Sequence, residues 1–388
     1  MNTNWPQHSN SEITKVIQIL KSGRTNYLFS NEGKAFEKEF AKFSNTEYAV
    51  ALSNGTVALD LALKSLKLKK GSEVIVTPRS FIASASCILL NNLKPKFIDV
   101  DLDSHNISPK EIEKSISKRT SAIICVHLGG TPCDMPEIMK IAKKNKLFVI
   151  EDCSQAHGAK IHNKSIGSYG NIATWSFCYD KIISTGGEGG MITTNQKKLY
   201  EFCWSYKDHG KNKNKYKLAR NSINGQFKFL HDSLGSNFRM LELQSAIGRI
   251  QLRKINQNIK NRKRIALIIK ESLKNSKIYT FQKSKFLHEN VYYRLYINID
   301  KVSIKRKIKN LDFLSVLLSN DIQCGVGSCS EIYREKSFKN IKIKLSNYKT
   351  AKYLSQYSFA IFINHYMSIK YAKKIVKFLK ILEKKYSK

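Results

Sequence analysis

The residues best suited to do chemistry in this chain gather around one lysine, Lys181. It sits in Trp175-Ser-Phe-Cys-Tyr-Asp-Lys-Ile-Ile-Ser-Thr-Gly-Gly-Glu-Gly-Gly190, with an aromatic strand before it and a glycine cluster after it. A lysine is usually a solvated surface charge, but glycines let the backbone turn tightly and let a ligand approach closely. Upstream, the apolar stretch Phe148-Val-Ile-Glu-Asp-Cys-Ser-Gln-Ala-His-Gly158 carries a carboxylate, Asp152, at a strand end. A third segment, Leu52-Ser-Asn-Gly-Thr-Val-Ala-Leu, reads as a strand end, a small-residue turn and a helix start. Free N–H groups at such a helix start form an anion site.

A lysine, a carboxylate and a phosphate cup are the protein parts that pyridoxal 5'-phosphate chemistry requires. Lys181 would hold the cofactor as a Schiff base. It must be neutral to attack, and burial near a cationic iminium or pyridinium lowers its pKa. Asp152 either caps the turn after its strand or pairs with the pyridine nitrogen, keeping the ring an electron sink. Gln155 would bond the ring's 3-oxygen or support Asp152. His157 either faces the substrate or is a structural histidine. Gly55 and Thr56 form the phosphate turn, and Ser176, five residues before Lys181, offers a further hydroxyl. In Ser80-Phe-Ile-Ala-Ser, Phe81 either stacks on the ring or packs in the core.

Strand–helix alternation is the scaffold that must hold these groups. Strands are expected at 48–52, 73–77, 96–100, 122–128, 147–152, 173–177 and 190–194. A helix fits 56–66, Ser108-Pro-Lys-Glu111 opens another with a capping box and an early proline, and Asp134-Met-Pro starts a third. The pattern reads as an α/β domain whose mostly parallel sheet is flanked by helices. The motifs fall just after strand ends, where such sheets bind ligands. Residues 206–232 are polar and irregular and read as a long surface loop. After Arg239 a helical pattern runs through Gln244-Ser-Ala-Ile-Gly-Arg-Ile-Gln-Leu. The division expected is a large domain over 1–255 and a small C-terminal α+β domain over 256–388. The small domain ends in a helix with Ala372, Ile375, Val376, Leu379 and Leu382 on one face. That face is expected to pack on its own domain rather than on a membrane.

No window approaches the roughly 18 uninterrupted apolar residues of a membrane span. The polar start lacks a signal-peptide core, so a cytoplasmic location is expected. Eight scattered cysteines form no Cys-x-x-Cys pair or zinc pattern and read as reduced buried thiols, with no metal site. With 67 Lys and Arg against 30 acidic residues, the formal charge is +37. The excess is mostly lysine, spread along the chain without a basic stripe, which favours a solvated surface over nucleic-acid binding.

Together these segments resemble the DegT/DnrJ/StrS sugar aminotransferases of the fold-type I pyridoxal phosphate class. The likeness covers nearly the whole chain, from Leu20-Lys-Ser-Gly-Arg and Phe36-Glu-Lys-Glu-Phe-Ala to Gly235-Ser-Asn-Phe-Arg-Met-Leu-Glu-Leu-Gln-Ser-Ala-Ile-Gly248. It implies Lys181 as the Schiff-base residue, Asp152 as the pyridinium partner, Phe81 as the stacking ring, and Gly55, Thr56 and Ser176 around the phosphate. It also implies that Asn237 reaches the phosphate of a neighbouring subunit, hence a homodimer with shared active sites. One departure is Phe362-Ile-Asn-His-Tyr-Met, where relatives more often carry a histidine–proline pair.

The activity so implied moves an amino group from an amino acid, glutamate by family analogy, to a keto group of a nucleotide-diphosphate-linked sugar. Its product would be an amino sugar for surface polysaccharide or a glycosylated metabolite. The alternatives are a cyclitol-ketone transaminase, a sugar dehydratase, which Lys181 disfavours, and a non-catalytic regulator or nucleic-acid-binding relative.

Overall fold

Seven strands, most of them apolar enough to be buried on both faces, hydrogen-bond into one sheet of order β1-β9-β8-β5-β4-β2-β3. They are β1 (Tyr48–Leu52), β2 (Glu73–Val76), β3 (Lys94–Phe97), β4 (Thr120–Val126), β5 (Phe148–Asp152), β8 (Ile172–Ser176) and β9 (Gly190–Thr194). A two-stranded ribbon, β6 (Lys160–Ile161) and β7 (Lys164–Ser165), interrupts the series. β3, β2, β4, β5 and β8 run parallel, while β9 is antiparallel to both its neighbours. The computed structural model describes residues 5–221, 229–341 and 343–388.

Alternation along the strands supplies two cores. Val74 and Val76 enter the core on one face together with α3 (Gly55–Ser65), α4 (Ala83–Leu90) and α7 (Lys197–Tyr206). Ile75, Val149 and Trp175 enter the core on the other. There they meet α2 (Glu32–Phe43), α5 (Pro109–Ser115), α6 (Met135–Lys144) and the first half of α9 (Glu242–Ser272). α1 (Asn10–Ser22) lies outside this layer against α9. α9 is tied to α2 by charge. Arg249 grips Glu39 with Nε at 3.0 Å and Nη2 at 2.6 Å, and Glu242 accepts the N–H of Gly33 at 3.0 Å, at the positive end of the α2 dipole.

The second sheet, β10 (Tyr279–Phe281), β11 (Leu295–Ile299), β13 (Ser358–Ile361) and β12 (Cys324–Gly325), is antiparallel throughout. α10 (Asn310–Leu318), α11 (Lys349–Tyr357) and α12 (Ile369–Tyr386) complete this region. Ala372, Ile375, Val376, Leu379 and Leu382 of α12 are buried in its core, as their spacing predicts. The 31-residue α9 runs unbroken through residue 255, giving Ile255 and Ile259 to one core and Ile265 and Ile269 to the other. No helix among the described residues is long and apolar enough to cross a membrane.

Two expectations need correcting. β3 begins and ends earlier than 96–100, because the Asp99 carboxylate turns away to accept the N–H groups of Thr350 and Ala351 at 2.8 and 2.9 Å, capping α11. Pro95 is tolerated inside β3 because this is an edge strand, hydrogen-bonded to β2 alone. The stretch 206–232 is not all loop: it holds α8 (Lys213–Asn221), whose start is capped by Asn212 through Asn214 N–H at 2.9 Å. Buried Tyr216 anchors that helix. Residues 222–228 of the expected loop lie outside the described residues.

Leu379 is fully buried, so Leu379→Ala should lower stability by about 2–5 kcal/mol, read as a lower urea midpoint. Its exposed neighbour changed as Lys380→Ala should move the midpoint by no more than about 0.5 kcal/mol equivalent.

Candidate active site

The carboxyl ends of β5 and β8 meet the starts of α3 and α4 around a cleft of about 430 Å³. Gly55, Thr56, Phe81, Asp152, Gln155, Ser176 and Lys181 all line it. Seven of the residues singled out from sequence therefore converge, though they come from segments spread over more than a hundred positions.

Asp152 ends β5 one residue after Glu151, and strand alternation sends the two carboxylates to opposite faces. Glu151 is fully buried and accepts the N–H groups of Gly167 at 3.0 Å, Tyr169 at 2.8 Å and Gly170 at 2.7 Å. With His127 Nε2 also 3.3 Å away, it forms a structural clamp in which donors, not a cation, fill the carboxylate. Asp152 turns instead to the cleft, held by the Ser84 hydroxyl at 2.8 Å and the Ser154 N–H at 3.2 Å. Gln155 accepts the Gly129 N–H through Oε1 at 2.7 Å, which leaves its NH₂ as the donor it can offer the cleft.

The phosphate turn follows the same logic. Asn54 caps α3 by accepting the Val57 N–H at 2.9 Å, so the N–H groups of Gly55 and Thr56 stand at the open helix end. A Cβ on Gly55 would lie 2.6 Å from the Ser176 Cβ, which explains the glycine. Phe81 is 65% exposed on the rim and packs in neither core, so its ring is free to cover a planar ligand.

Lys181 projects from a segment anchored on both sides by fully buried Phe177, Ile182 and Ile183. Phe36, Phe40 and Trp175 lie beneath it, and the indole of Trp5 donates to the Lys181 carbonyl at 2.8 Å. Gly186 and Gly187 adopt φ of 86° and 128°, turning the chain back to β9. Lys181 Nζ lies 3.1 Å from Asp180 Oδ1 and donates to the Tyr293 hydroxyl at 3.2 Å. Burial disfavours its charge, but Tyr293 and Asp180 outweigh burial and hold the ammonium above the ordinary lysine range. The lowering expected from sequence depends on the cationic charge of a bound cofactor beside the lysine, which the chain's own groups do not supply.

His157 does not line the cleft. It is buried against Trp175 and Phe177, and burial, with Lys181 and Arg262 nearby, pushes it down to about 3, so it is neutral at physiological pH. Asn237 also lies outside the cleft of its own chain, exposed and bridged to Asp208 along the backbone. Sequence reasoning missed Asp180, Ser84 and Tyr293. A carboxylate beside the chosen lysine was readable, but Tyr293 is 112 residues from Lys181 and carried no local signal.

The donor set fits pyridoxal phosphate: an acceptor fixed at Asp152, an amide donor at Gln155, a helix-end anion turn that a Cβ would fill, and an aromatic rim. Gly55→Ala should force Ser176 aside and weaken binding of the cofactor by at least about tenfold in equilibrium dialysis. An unchanged Kd would mean that the turn is not the phosphate site.

Known proteins resemble this chain over most of its length. A GDP-perosamine synthase of Escherichia coli O157:H7 is 40% identical over 264 residues, 68% of this chain and 67% of the relative. A dTDP-3-amino-3,6-dideoxy-alpha-D-galactopyranose transaminase of Aneurinibacillus thermoaerophilus is 38% identical over 265 residues, 68% and 69% of the two chains. Among solved structures, an aminotransferase from Psychrobacter cryohalolentis superposes with a TM-score of 0.92 at 36% identity over 98% of both chains. The profile of one family runs from residue 6 to residue 380, and the chain belongs to that family, the DegT/DnrJ/EryC1/StrS aminotransferases.

Proposed function

We propose that this enzyme moves an amino group from glutamate to a keto group of a nucleotide-diphosphate-linked sugar, with pyridoxal phosphate as cofactor. The observation that carries the reading is the meeting of Lys181, Asp152, Ser176 and Gly55 in one cleft. When bound, the cofactor supplies an electron sink for the carbanion formed at the substrate carbon.

The chain's residues divide the remaining work. Asp152, oriented by Ser84 and Ser154, holds the ring nitrogen protonated. The Gln155 amide would bond the ring oxygen, Phe81 would cover one face, and Gly55, Thr56 and Ser176 would take the phosphate at the α3 N-terminus. Lys181 would hold the cofactor and, when free, would move the proton to and from the substrate carbon as base and acid. The relatives include a GDP-perosamine synthase, a dTDP-amino-sugar transaminase and a UDP-linked dehydroglucosamine aminotransferase, which supports a nucleotide-linked ketone here. Asn237, exposed and away from its own cleft, is assigned to the phosphate bound by a partner subunit in a homodimer. The enzyme is assigned to the cytoplasm, where such sugar nucleotides are its substrates.

Loaded protein should show a visible band that gives way to a shorter-wavelength band when glutamate is added. Keto-sugar nucleotides should then reverse that change. Lys181→Ala should abolish turnover, a loss of at least about 10³-fold in kcat, while the circular dichroism spectrum is retained. Wild-type rates in that variant would remove Lys181 from the mechanism. A protein that stays colourless after incubation with pyridoxal phosphate would refute the whole reading.

A further inference from the structure

Asp180 stands in a four-group contact that the transfer reaction itself does not require. Its two oxygens are divided: Oδ1 lies 3.1 Å from Lys181 Nζ, and Oδ2 accepts the Tyr293 hydroxyl and, at 2.9 Å, Arg294 Nη2. The Tyr293 oxygen in turn accepts from Lys181 at 3.2 Å and from Arg294 at 3.1 Å. One carboxylate is therefore shared directly by two cations, with one phenol bonded to all three. Arg294 is not free to leave, since its guanidinium lies 3.7 Å from the Phe362 ring centroid and 4.4 Å from that of Tyr293.

We propose that Asp180 is a positioning carboxylate which, by being divided between Lys181 and Arg294, sets the pH at which Lys181 becomes a nucleophile. The proposal rests on the reading of Lys181 as the cofactor-bearing residue and adds to it the group that governs its proton. Taken alone, Asp180 holds the ammonium charged and aimed at a fixed point. Arg294 works against this by drawing off Oδ2 and by adding a like charge close to the lysine.

The other charged and titratable groups near this cluster act in known directions. Arg262, fully buried on α9 and bonded to the Ile363 carbonyl, adds positive charge behind Asp180 and Tyr293. His157 is neutral and cannot take the lysine proton at physiological pH. Cys178 and Glu188 come from the same loop, and Asp152 lies across the cleft. The Cys178 thiol is pushed up by burial and by the carboxylates of Glu188 and Asp180, so it stays protonated. Asp180 is thus the carboxylate in direct contact with Lys181 among the described residues, and burial of Asp180 is overcome by Lys181, Tyr293 and Arg294, which keep it ionised.

Opposite charge changes should move Lys181 in opposite directions. The test uses full-length, cofactor-depleted protein, exposed to pyridoxal phosphate at a series of pH values and reduced with borohydride. In the captured reaction the ammonium gives its proton to solvent, Nζ bonds the aldehyde carbon, water leaves, and hydride fixes the product. Peptide mass spectrometry reads the adduct at Lys181, with adducts on surface lysines as the internal reference. Asp180→Asn should bring the Lys181 capture profile down by roughly one to two pH units. Arg294→Gln should move it up by about half a unit or more, because the whole carboxylate then serves the lysine.

A Lys181 profile that stays in place in Asp180→Asn, or that moves the same way in both variants, overturns the assignment of Asp180 while leaving Lys181 as the attachment point. Wild-type protein that is captured at surface lysines and not at Lys181 overturns the cofactor reading itself. Should Asp180→Asn fail to fold, the direction of the Arg294→Gln shift decides by itself.

Discussion

The hydrogen-bonded register between β5 and β8 is the constraint from which the cleft is measured. It places Asp152 opposite Thr174, so that Ser176 and the loop to Lys181 leave the sheet beside the carboxylate. A slip of one residue would turn Asp152 into the core and bring Glu151 to the cleft. The Glu151 clamp opposes that slip, because three backbone N–H groups would lose their acceptor in a fully buried place. Two adjacent carboxylates thereby do unlike jobs, one holding the register and the other using it. Gly55 and Gly190 belong to the same close-fitted corner, for a Cβ on Gly190 would lie 2.3 Å from the Asn54 carbonyl oxygen.

Much of this was legible in the residues because the information was local. Strand ends, the helix-start turn and the glycines after Lys181 are short patterns, and the structure sets seven of the expected groups around one cleft. The misplacements arose where a distant partner won. β3 ends early because Asp99 caps a helix some 250 positions later in sequence (251 for Thr350), a contact that apolar spacing does not encode. α8 was hidden because its composition is polar, and it is held by Tyr216 rather than by an apolar stripe. The partners of Lys181 were hidden for a related reason: Tyr293, 112 positions away, bonds its ammonium, and Arg294 bonds the neighbouring Asp180. Asn237 could be named from family likeness but not from any geometry within one chain.

The net charge of +37 contrasts with the few cations that matter inside. Arg79 and Arg262 are buried with no carboxylate in contact among the described residues, and each bonds across to the smaller sheet and its loops. Arg79 reaches the hydroxyls of Ser330 and, at 2.7 Å, Ser358, with Tyr296 beneath its guanidinium. Because Arg79 lies next to Ser80 and Phe81, the cleft's aromatic rim is braced from the second sheet. The Ser80 backbone adds a bridge to Cys329. The opposite wall is braced from there as well, by Tyr293. The positions that frame the cleft therefore depend on both sheets, whereas the surface lysines are solvated bystanders to it.

Trp5 shows what such long-range bracing means for a chain made from one end to the other. Its indole bonds the Lys181 carbonyl, and its ring packs 4.5 Å from His365 and 6.0 Å from Tyr366. α9 is in the same position, waiting for α12 to cover its second half. Domains tend to fold from the N-terminus as they are synthesised, yet here Trp5 finds its seat only among residues about 360 positions later in the sequence. The central sheet can gather while translation continues, but the bracing of the lysine segment through Trp5 is complete only once the residues around His365 have been made.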